Sequence, residues 1–150
     1  MEKSSGFNPA LRHKARHYAM QALYQWQISH NALQQIEQQF RAEYDFSQVD
    51  LEFFQELLHR IPAQLGEIDA LLSPYLDRTI KELTPIELAL LRIGTYELAH
   101  RIDVPFKVAI NEAVSLAKKF GAAESHKYIN GVLDNVAKQT RAVEITASKR

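Results

Sequence analysis

Apolar residues return every three or four positions along most of this chain, and no run alternates strictly between apolar and polar. That period belongs to helices packed through one face, not to strands. A first helix is expected from about Pro9, with Ala15, Ala19, Ala22, Leu23 and Trp26 on its apolar face. Arg12, Arg16, Met20 and Tyr24 stand four apart on a neighbouring face. A second helix carries Leu33, Ile36 and Phe40 and ends near Tyr44. Ser47 with Asp50 offers a start for a third, whose stripe is Phe53, Phe54, Leu57, Leu58 and Ile61; Pro62 marks a break or a kink. A fourth carries Leu65, Ile68, Leu71, Leu72 and Tyr75.

The start signals sharpen in "LTPIELALLRIGTYELAHR". Thr84 suits the N-cap, Pro85 the first helical position, and Glu87 completes a capping box. The helix that follows has almost no polar face, so it is expected to be central and buried. Gly94 inside it predicts a close helix approach. Pro105 opens a sixth helix with Ala109, Ala113, Leu116, Ala117 and Phe120 on its core stripe and Gly121 as its C-terminal cap. Ser125 is expected to cap a seventh, with Ile129, Val132, Leu133 and Val136 inward and Gly131 marking another tight contact. Past Arg141 the pattern fades. About seven helices with short connections describe an all-α protein of packed hairpins. Residues 1–10 are expected to be a flexible N-terminus, 11–141 one helical domain, and 142–150 a polar tail.

Composition narrows the chemistry. The 150 residues suffice for a real core, and 46% hydrophobic with 24% charged is an ordinary globular balance. Cysteine is absent, which removes disulfides, thiolate metal sites and cysteine nucleophiles and fits a reducing compartment. No apolar run approaches the about 20 residues a membrane span needs, and the start "MEKSSGFNPA" lacks a secretory core, so a cytoplasmic location is expected. Net charge is zero but unevenly spread. Lys3, Arg12, Lys14 and Arg16 face only Glu2 in the first 20 residues. Acidic residues dominate 31–60, and residues 101–141 are again basic. Two partner surfaces would explain this distribution; so would solvated faces that vary by chance.

Most catalytic patterns fail. His13 and His17 are four apart, but Lys14 and Arg16 surround them and no third metal ligand is identifiable. Ser125, His126 and Asp134 sit on a helix start with no nucleophile elbow. Glycine-rich nucleotide loops are absent. No catalytic residue, metal or cofactor is expected. Asn111 and Ser115, four apart, suit a base edge or a neighbouring helix, and equally a local network at the helix junction. The better signal is "KKFGAAESHKYINGVLD", which gathers Lys118, Lys119, Phe120, Lys127 and Tyr128 around one short turn. Together with the basic face of Arg12, Lys14 and Arg16, it suits single-stranded RNA: cations for phosphates, and Tyr128 or Phe120 for bases. Phe120 also falls on the core stripe, which competes with that role.

"ARHYAMQALYQWQ", "LLRIGTYEL" and above all "DVPFKVAINEAVSLAKKFGAAESHKYINGVLD" resemble the NusB family of transcription antitermination factors, from about Leu11 to Arg141. The resemblance implies an all-helical fold of two packed bundles and a non-enzymatic role. It implies pairing with the ribosomal protein NusE, binding of the boxA element of nascent RNA, and assembly on RNA polymerase with other Nus factors to complete ribosomal RNA transcription. By the same resemblance the RNA face falls on Arg12, Lys14, Arg16, Tyr75, Arg78, Lys118, Phe120, Lys127 and Tyr128, and the NusE face includes Tyr24 and Glu87. His13 and Lys14 stand where the family commonly has arginine, so phosphate attraction there is expected to be weaker or pH-dependent. Tyr128 stands where phenylalanine is also seen, and stacking survives that exchange. Glu87 would have to divide one carboxylate between cap and partner. Self-association through the RNA face is a further implication. Two alternatives stay open: a helical protein-binding adaptor, and an accessory domain like that of some ribosomal RNA cytosine methyltransferases. The chain has no room for the methyl-donor domain of the latter.

Overall fold

Asn8 starts the first helix: its Oδ1 accepts the backbone N–H of Ala10 at 2.9 Å, and Pro9 takes a position where no N–H is needed. In the computed structural model, which describes residues 8–149, the helix α1 then runs over Pro9–Ser29. Of the flexible segment expected over 1–10, residues 1–7 lie outside the described residues, while Asn8 to Ala10 are the cap and first turn. Helices α2 (Leu33–Glu43) and α3 (Leu51–Ala63) complete the first of two compact units, Met1–Ala63. Asp50 alone caps α3, accepting the Phe53 N–H at 3.1 Å; Ser47 instead donates its own N–H to Asp45. Pro62 is absorbed in the last turn of α3. The core joins Ala15, Ala19, Ala22 and Leu23 to Ile36, Phe40 and the whole predicted stripe of α3.

Among the described residues of this unit, the Glu37 carboxylate is buried. Glu37 accepts from Gln55 at 2.7 Å and Arg41 at 3.3 Å, and lies 2.6 Å from His59 Nε2. Burial would push its carboxyl up. The hydrogen bonds of Gln55 and His59, the charge of His59 and the Arg41 bond outweigh it, and Glu37 stays below the usual carboxylate range.

The second unit, Gln64–Arg150, contains α4 (Leu65–Leu72), 3-10 turns at Ser73–Tyr75 and Ile80–Glu82, then α5 (Pro85–His100), α6 (Phe106–Phe120), α7 (Ser125–Thr140) and α8 (Ala142–Ser148). Every residue from Ala89 to Leu98 is buried, as an apolar helix without a polar face requires. Helix α5 packs against α4, α6 and α7. Arg92 secures α4 to it with a bidentate bond to Asp69 at 3.0 and 2.9 Å. At Gly94 a Cβ would lie 2.6 Å from Leu133, so the predicted close approach exists.

Three expectations change here. Ser125 is not a cap; it is buried in the first turn of α7 and donates its hydroxyl to Glu87 Oε2 at 2.9 Å. Gly131 makes no tight contact, since nothing lies within 4 Å of a Cβ built there. The polar tail after Arg141 contains α8, which brings the described helices to eight. That helix is held by tertiary bonds. Arg141, 4% exposed, donates to the carbonyls of Glu97, Leu98 and Arg101 at the end of α5 and to Glu144 Oε1 at 2.6 Å. Glu144 Oε2 accepts the Phe106 N–H at the start of α6.

Candidate nucleic-acid interface

In the second unit, Tyr128 stands in the first turn of α7 and faces the irregular chain between the two 3-10 turns. The Arg78 guanidinium lies over its ring, 4.4 Å from the centroid, and the Asp77 N–H donates to its hydroxyl at 3.4 Å. Asp77 grips Arg78 through two bonds, 2.6 and 3.2 Å. These bonds hold the Asp77 carboxyl below its ordinary value and push Arg78 up, so the pair is fully charged at neutral pH. Burial raises the Tyr128 phenol against the opposing hydrogen bond from the Asp77 N–H, so it stays a neutral donor-acceptor. Tyr75 belongs to the same surface and donates to Gln139 of α7 at 2.8 Å. An open groove of about 620 Å³ adjoins it, lined by Ser73, Leu76, Arg78, Thr79, Ile80 and Lys81. Thr79 and Glu82 close a capping box that fixes the second 3-10 turn.

The α6–α7 junction supplies cations. Lys118 and Lys119 are exposed in the last turn of α6, with Lys119 Nζ 5.3 Å from the centre of the half-buried Phe120 ring. Gly121 ends α6 in extended backbone, and a Cβ on it would sit 2.8 Å from the Ala117 carbonyl. Lys127 is exposed and pairs with Glu124 at 2.9 Å. Asn111 and Ser115 are exposed on α6. Stacked ring, forked cation and exposed ammonium groups therefore share one unit.

The basic face of the first unit is more divided than its sequence suggested. Lys14 is exposed. Arg12 is half-buried, 3.6 Å from Asp50 and 5.3 Å from the Phe53 ring centre. Arg16 is 3% exposed with its guanidinium over the same ring at 5.1 Å. It is part of the core of this unit and offers no open fork to a phosphate. His17 stacks on Tyr18 at 4.9 Å, and Tyr18 continues onto Phe46 and Tyr44. That aromatic row was missed because Tyr44 and Phe46 lie in a loop outside any periodic stripe. Among the described residues no group of three or more His, Asp or Glu is placed to hold a metal.

The two residues assigned to the NusE face fare differently. Tyr24 is 39% exposed on α1, and Ile28, one turn on, is 57% exposed. Ile28 was not singled out from sequence, although its i+4 spacing from Tyr24 was visible. Glu87 is buried: Oε1 accepts the Thr84 N–H at 3.2 Å and Oε2 accepts from Ser125. Both oxygens have internal uses, so the competition resolves toward the fold in this structure.

The NusB family model matches residues 13–138. The chain is 54% identical over 141 residues to transcription antitermination protein NusB of Pseudomonas savastanoi pv. phaseolicola, covering 94% of this chain and 86% of that one. It is 52% identical over 141 residues to the protein of the same name from Teredinibacter turnerae, covering 93% and 96%. A solved structure of T. maritima NusB superposes with a TM-score of 0.75 at 30% identity, covering 93% of this chain and 94% of that one. The first two relatives are named as transcription antitermination proteins. With a family match over most of its length, relatives above half identity and the same all-helical fold, this chain belongs to the NusB family.

Proposed function

We propose that this protein is a cytoplasmic transcription antitermination factor that binds the boxA element of nascent RNA together with the ribosomal protein NusE. In that reading it joins RNA polymerase and other Nus factors and supports processive transcription of ribosomal RNA operons. The observation that carries the RNA part is the Arg78–Tyr128 pair: a guanidinium on a tyrosine face, fixed by Asp77, in the same unit as exposed Lys118, Lys119 and Lys127. A base extends such a stack, and phosphates follow the lysines. Within the first unit by itself, exposed Lys14 and half-buried Arg12 are cations a phosphate could approach. Tyr24, with Ile28, offers NusE an apolar ridge.

The same geometry explains why RNA binding would need a partner. Arg78 is held by Asp77 and Lys127 by Glu124, so part of the charge is already compensated. RNA alone must displace these pairs. That compensation is also what favours the adaptor reading, in which NusE binds and RNA does not. Lys118→Ala, Lys119→Ala and Lys127→Ala combined separate the two. We expect RNA affinity in the presence of NusE to fall roughly tenfold or more, with NusE pairing intact. Unchanged RNA affinity would remove the junction from the interface. Tyr128→Ala should weaken binding where Tyr128→Phe does not, because stacking needs the ring and not the hydroxyl.

A further inference from the structure

Gly131 has no role inside the fold. A Cβ there would have no heavy atom within 4 Å, and the residue is exposed, on the side of α7 away from buried Ile129, Leu133 and Val136. Helix interiors disfavour glycine, so its presence weakens α7 without an internal contact in return. Its position supplies a reason. A helical side chain leans toward the N-terminus and covers the residues three and four places earlier. For position 131 those are Tyr128 and Lys127. A methyl group here would touch neither, but a longer side chain would extend toward the outward edge of Tyr128 and the stem of Lys127. Arg78 lies over that ring, and no heavy atom lies within 4 Å of a Cβ built at Gly131, so the space on that side is open.

We propose that Gly131 is the floor of the path by which single-stranded RNA crosses α7. Its missing side chain keeps Tyr128 and Lys127 uncovered and lets the sugar–phosphate chain approach the helix backbone. This rests on the RNA-binding reading above and adds to it a residue with neither charge nor ring. A polyanion is the occupant the charges favour. Glu124 and Asp134 share this face with Lys127 and Lys138, and Lys118 and Lys119 at the end of α6 make the junction positive.

The test uses the full chain with NusE and a labelled boxA-type single-stranded RNA, comparing Gly131→Ala and Gly131→Gln with Lys127→Ala and Tyr128→Ala. Both Gly131 variants should melt about 2–4 °C above the parent, as better helix formers at an open site. Gly131→Gln should bind RNA roughly tenfold more weakly, with NusE pairing unchanged, and Gly131→Ala should fall between. RNA affinity of Gly131→Gln within about twofold of the parent, while Lys127→Ala or Tyr128→Ala weakens it, would overturn the proposal and leave the RNA reading standing. A lowered melting temperature would also overturn it, since the glycine would then serve the fold. If the parent binds no RNA with NusE present, the RNA reading itself falls and takes this proposal with it.

Discussion

Gly94 and Gly131 are both glycines inside helices, and a methyl group added to each meets a different environment. At Gly94 it would press on buried Leu133 at 2.6 Å; at Gly131 it meets only solvent. Overpacking costs about 1–3 kcal/mol against a helix-propensity gain of about 1 kcal/mol. Gly94→Ala should therefore lower stability in urea unfolding by roughly 1 kcal/mol, and Gly131→Ala should raise it by up to about 1 kcal/mol. Equal effects would mean that the α5–α7 approach is looser than described. Sequence alone treats the two glycines alike, because what distinguishes them is Leu133, far away in the chain. Arg16 teaches the same lesson. Its charge suggested phosphate, but Phe53 of α3 turns it into a core residue. Glu37 is also a buried charge in that unit. Glu37→Ala would leave Gln55 and His59 without their acceptor and should cost roughly 1–3 kcal/mol.

At the scale of elements, local signals were legible and distant ones were not. The Thr84–Glu87 capping box, the burial of α5 and the Asp50 start of α3 all depend on residues three or four apart, and all stand in the structure. Ser125 was misread because its partner, Glu87, is 38 residues away. Helix α8 was read only as a polar tail because its seven residues are too few to stabilise a helix alone. It exists through Arg141, which caps the end of α5 with three carbonyl bonds and reaches Glu144. Arg141→Ala should destabilise the protein by about 3–5 kcal/mol and expose residues 142–149 to proteolysis before global unfolding. Arg141→Lys should not restore it, since an ammonium lacks the fork. Proteolysis at the parental rate in Arg141→Ala would mean that α8 is held by something else.

For the molecule as a whole, charge governs stability and, in the proposed reading, partners. Glu37 and Glu144 are held below the ordinary carboxyl value of 4.5 although burial opposes it, and Asp77 is held down by Arg78. A carboxyl depressed in the folded state contributes stability in full above its unfolded value and loses it as pH falls through the folded value. The melting temperature should therefore drop most steeply below pH 4.5, and less so in Glu37→Gln. No described helix is long and apolar enough to cross a membrane. Family membership carries the antitermination reading further than any single residue does, and the residues say how RNA would be held. The candidate site is visible in the sequence as a cluster of lysines and rings around one turn. Its balancing acids, Asp77 and Glu124, stand one and three residues from Arg78 and Lys127, so these pairs are local and were open to the same reading.

That balance makes one measurement decisive: binding of boxA-type RNA with and without NusE across a salt series. We expect weak binding alone, tighter binding with NusE, and affinity that falls on a log–log plot with a slope of about −0.7 per phosphate neutralised. A folded protein that pairs with NusE yet binds no RNA, or binds it without dependence on salt, would contradict the account.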